Sequence, residues 1–71
     1  MDETKVTDIF NKMKIIYNLN KIAGDGIIGK DNALKVMQKQ ISDLQFDCQE
    51  KGLVDEFYKA SMQMVGLLKN K

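Results

Sequence analysis

The chain has 71 residues, with 11 Lys against 10 Asp plus Glu, one Cys, and no His, Arg, Trp or Pro. That length allows a single domain, residues 1–71, and excludes a nucleotide-binding α/β fold or a two-domain cleft. A net charge of +1, spread evenly with no basic arm or acidic tail, argues against a strong nucleic-acid footprint.

The first helix is expected over about residues 4–22. Val6, Ile9, Phe10, Met13, Ile16 and Tyr17 recur at the 3-4 spacing of one helical face. Asp2 or Thr4 can cap it, since a short side-chain oxygen accepts an orphan backbone N–H. A second apolar line, Ile15, Leu19 and Ile22, lies nearly opposite the first.

The run Ala23-Gly24-Asp25-Gly26-Ile27-Ile28-Gly29 breaks the helix, because each Gly costs about 1 kcal/mol relative to Ala. Gly24 suits a C′ position with positive φ. Ile27 and Ile28 are expected to turn inward and plug the end of the bundle. The run also matches G-x-G-x-x-G, but that pattern cradles a pyrophosphate only after a strand, and here a helix precedes it. Read as a calcium loop, it places Lys21, Ala23 and Asn32 where oxygen ligands and a bidentate carboxylate are needed, so calcium is excluded.

The second helix is expected over 31–51, with Asp31 or Asn32 as its N-cap. Leu34, Met37, Ile41, Leu44 and Cys48 form a narrow apolar stripe. Phe46 stands about 160° from the centre of that stripe at ~100° per residue, among Lys39, Asp43 and Glu50. Gly52 is the expected C-cap glycine, followed by a hydrophobic contact from Leu53.

The third helix is expected over 53–68. Its apolar residues, among them Val54, Phe57, Tyr58, Met62, Met64, Val65 and Leu68, spread over more than half of the helical wheel. The short turn at Gly52 makes the last two helices an antiparallel helical hairpin. The fold class is therefore a small all-α, three-helix domain.

Function is constrained mainly by exclusion. Without an imidazole, Cys48, Ser42 and Ser61 have no base to activate them, and no catalytic residue, cofactor or metal ion is expected. A lone thiol suits a reducing, cytoplasmic setting. No apolar run approaches the ~18 residues that span a bilayer. The lead expectation is a non-enzymatic protein-binding module: an adaptor, inhibitor or assembly component of the kind phages and mobile elements encode. Its partner would be another protein, a second copy in a homodimer, or both. The candidate contact residues are Phe46, Ile15, Leu19, Ile22 and Met62. A nucleic-acid-binding transcriptional regulator is the second reading; without Arg it lacks the bidentate guanine reader.

A third reading rests on Asp25-Gly26-Ile27-Ile28-Gly29 leading into a helix. This stretch resembles the signature turn of three-helix peptidoglycan-binding modules. The resemblance covers about a dozen residues and departs from the family at Lys30, Asp31 and Asn32, where that turn is usually followed by Pro and Thr. It implies a three-helix fold and binding to cell-wall peptidoglycan.

Overall fold

The computed structural model describes residues 1–70, and among them it consists of three α-helices and no strand. These are α1 (Glu3–Asp25), α2 (Lys30–Glu50) and α3 (Val54–Lys69). Helix α1 is the central element: α2 and α3 each pack along it, and they meet one another much less. Pairings between the helices give their directions. Asn20 meets Gln40 and Gly24 meets Ala33, so α2 runs antiparallel to α1. Asp2 meets Glu56 and Glu3 meets Lys59, so α3 runs back in the sense of α1 and opposite to α2.

Helix α1 begins as the sequence suggests. The Asp2 side chain accepts hydrogen bonds from the backbone N–H groups of Thr4 (3.0 Å) and Lys5 (3.3 Å). Its end differs from expectation. The helix continues through Gly24 to Asp25, and Gly24 is helical, not a positive-φ cap. The reason is packing: Gly24 is buried where α1 passes α2 beside Ala33. The left-handed backbone falls instead on Gly29 (φ 81°) and Gly52 (φ 71°). Gly29 is the N-cap of α2, in place of Asp31 or Asn32, while the Asn32 side chain donates back to the Ile28 carbonyl.

Ile27 and Ile28 do not plug the bundle. Ile27 is 95 % exposed, and Ile28 is 37 % exposed. At that end α1 and α2 close directly on one another through Gly24 and Ala33, and the turn that carries the two Ile side chains lies beyond this contact. At the other connection the sequence reading holds. The Leu53 N–H donates to the Cys48 carbonyl (2.7 Å) and the Gly52 N–H to that of Gln49 (3.2 Å), the two bonds of a Schellman motif. Leu53 then packs against the core.

The core is small and lies toward the N-terminal half of α1. Val6, Ile9 and Met13 are buried with Cys48 of α2 and Ala60 of α3. Phe10, Ile41, Leu44, Leu53, Phe57 and Met64 pack around them, half-buried. Toward the other end of α1 the buried positions are polar or small. The Asn20 side-chain amide donates to the Ile16 carbonyl and to the Gln40 side-chain oxygen, both at 2.7 Å. Ala33, not Leu34, is the buried residue of the α2 stripe there, for a Leu would not fit against Gly24.

Candidate functional site

The loose meeting of α2 and α3 has a sequence cause. Beside its apolar stripe, α2 carries a line of neutral polar residues, Gln38, Ser42 and Gln45, at 4-3 spacing. Such side chains do not fill an apolar seam, and α3 leans on α1 instead. What remains is an open groove of about 430 Å³. Its floor is Met13 and Tyr17 of α1; one wall includes Met37, Ile41 and the polar line of α2, and the other includes Ser61, Met64, Val65 and Leu68 of α3.

None of the described residues lining this groove is charged, although charged residues make up 30 % of the chain. The few polar groups are modest. The Ser61 hydroxyl already donates to the Phe57 carbonyl at 2.9 Å. Three of the five Met residues, Met13, Met37 and Met64, line the groove, and their flexible thioether side chains can mould to an apolar guest. The charged groups lie elsewhere and pair with one another: Lys39 with Asp43 (3.3 Å), Lys51 with Asp47 (2.9 Å) and Lys59 with Glu3 (2.6 Å).

Two further apolar hollows, of about 470 Å³ and 160 Å³, adjoin the groove. One, on the outer side of α3, is lined by Tyr58, Ser61, Met62, Val65, Gly66 and Lys69. It shares Ser61 and Val65 with the groove. The other lies between α1 and the start of α2 and shares Tyr17 and Met37 with it. Unlike the groove, these two hollows have charged residues in their linings: Lys69 in the first, and Lys21 and Lys30 in the second.

The candidate contact residues named from sequence are all exposed but do not form one surface. Met62 stands on the α3 shelf beside the groove. Ile15, Leu19 and Ile22 lie on the side of α1 away from Met13, the groove floor. Phe46 is 63 % exposed on α2 and does not line the groove. Of the groove residues, Met13, Tyr17, Met37 and Ile41 belong to the apolar stripes of the first two helices, and Met64, Val65 and Leu68 to the broad apolar arc of the third. The signal that marks them is the uncharged line Gln38, Ser42 and Gln45, in a helix whose other polar face carries Asp31, Lys35, Lys39, Asp43 and Asp47.

Other chemistry has little to work with. Among the described residues no group of three or more Cys, Asp or Glu is placed to hold a metal ion. Cys48 is buried, and burial, followed by the neighbouring Asp47 charge, pushes its thiol above the ordinary range. Such a thiol is a poor nucleophile. No described helix is long and apolar enough to cross a membrane. Comparison with protein-family models, with curated proteins and with solved structures finds no match to this chain.

Proposed function

We propose that this protein is a non-enzymatic protein-binding module that takes an amphipathic helix into the groove between α2 and α3. One observation carries the reading: an apolar groove of about 430 Å³, free of charged lining among the described residues, on a chain that is 30 % charged. Helix-in-groove recognition needs a hydrophobic trough that accepts side chains at i, i+3/i+4 and i+7. Methionine-lined troughs adapt to such side chains at low cost in strain. An adaptor, an inhibitor or an assembly component would use the surface in this way. A reducing cytoplasm suits the single cysteine, which is buried and has no second cysteine in the chain to pair with.

Photo-methionine incorporation in the producing cell tests the reading. The five Met positions report different surfaces, and peptide mapping separates them. Protein adducts are expected through Met37 and Met64, and they should fall in Ser42→Lys or Gln38→Lys chains, which place a charge at the groove. Adducts only through Met1, or none, contradict it.

A further inference from the structure

We infer that the occupant of this groove is a second copy of the same chain, joined in a twofold symmetric dimer; the inference rests on the docking reading above. The first ground is area. A folded monomer of 8.1 kDa is expected to expose about 4,500 Å². This chain exposes 5179 Å², roughly 700 Å² more. A standard interface buries about 800 Å² on each partner. The surplus surface of one copy is therefore close to one side of a stable interface.

Shape agrees with area. The Cα radius of gyration is 12.7 Å, against about 11 Å for a compact 71-residue domain. The molecule extends 38 × 27 × 14 Å, a slab and not a sphere. Two slabs stacked on the grooved face would restore a compact body.

The second ground is that the chain carries a row of projecting side chains, a ridge along one side of the α3 hollow, that its own groove would accept. Tyr58, Met62 and Val65 recur at i, i+4 and i+7 on the outer side of α3, 68 %, 63 % and 51 % exposed. That is the anchor spacing of helix-in-groove recognition. Ridge and groove are neighbours, and Val65 belongs to both. In a twofold contact the patch must complement itself, each ridge entering the other copy's groove. The residue shared by ridge and groove then lies next to the symmetry axis. A net charge of +1 per copy offers little repulsion to such pairing.

The position of Val65 makes the test specific. A residue beside a twofold axis meets its own counterpart, so Val65→Cys should form an intermolecular disulfide under mild oxidation. We expect trapping at least tenfold faster than for Ile15→Cys or Phe46→Cys, exposed positions away from the groove, with the buried Cys48 left in place throughout. Sedimentation of the unmodified chain at high micromolar concentration should give twice the 8.1 kDa monomer mass. Met62→Lys should lower Val65→Cys trapping about tenfold while the helical circular dichroism stays unchanged. Equal trapping rates at the three positions, or undiminished trapping in Met62→Lys, overturns the inference. A monomeric mass also overturns it; if photo-methionine adducts to a different protein then persist through Met37 and Met64, the docking reading stands without the second copy. Absence of any adduct removes both.

Discussion

Gly24 and Ala33 set the distance between α1 and α2: a Cβ placed on Gly24 would fall 2.9 Å from the Ala33 Cβ and 3.4 Å from the Lys30 Cα. That contact explains why a glycine sits inside a helix. Helix propensity favours Gly24→Ala by about 1 kcal/mol, but the methyl must push α2 away. Overpacking of this kind costs about 1–3 kcal/mol, so a net loss of stability is expected. Ala33→Gly in the same chain removes the opposing methyl and should recover part of the loss, a coupling a double-mutant cycle measures in chemical denaturation. Additive effects, or a stabilising Gly24→Ala, would show that the helices do not meet there.

Truncation should be costly at Ile9 and nearly neutral at Phe46. Ile9 is 4 % exposed within the core, and Ile9→Ala is expected to cost about 2–5 kcal/mol. Phe46 projects from the charged side of α2, and Phe46→Ala should leave folding stability within about 0.5 kcal/mol. The same substitution should not change the dimer mass, since Phe46 is outside the groove and the ridge. Thermal melts and sedimentation check both statements. A large drop in melting temperature for Phe46→Ala would place that ring in the core.

Cys48 gives the fold an alkaline limit. Burial first, and the Asp47 charge second, raise the folded thiol's pKa above that of the unfolded chain, about 8.5. The folded state then holds a proton that the unfolded state releases. Stability is accordingly complete below about pH 8 and declines as pH rises through the folded pKa. Cys48→Ala should lower the whole stability curve through lost packing but flatten its fall above about pH 8. Urea titrations across that range measure the slope. Ellman's reagent should react slowly with the native chain and quickly in denaturant.

The elements were legible where local chemistry decides. Apolar spacing marks all three helices, Asp2 acts as the α1 cap, and Gly52 with Leu53 closes α2. The Gly24–Gly29 stretch was less legible, because glycine has two uses. The same residue that ends a helix by adopting positive φ also permits a helix to pass close to a neighbour, and only the tertiary contact with Ala33 selects between them. Ile27 illustrates the second limit. Hydrophobicity predicts burial on average, yet α1 and α2 already meet through Gly24 and Ala33, and Ile27, in the turn beyond that contact, stays in solvent. Surplus apolar arc on α3 was visible in the sequence, but the groove was not. Met37, Ile41 and Met64 sit on stripes that would be core in any closed bundle. They become a groove only because α2 and α3 each pack on α1 and hardly on each other.

The central claim, that the α2–α3 groove is filled by the α3 ridge of a second copy, is tested most directly by isotope-filtered NMR. A sample mixing methyl-labelled and unlabelled chains isolates contacts between molecules. The account predicts intermolecular nuclear Overhauser effects from the Met62 methyl to Met37, Met64 or Leu68, and from Val65 to Val65. Intermolecular effects confined to Ile15, Leu19 and Ile22, or none at high micromolar concentration, would contradict it.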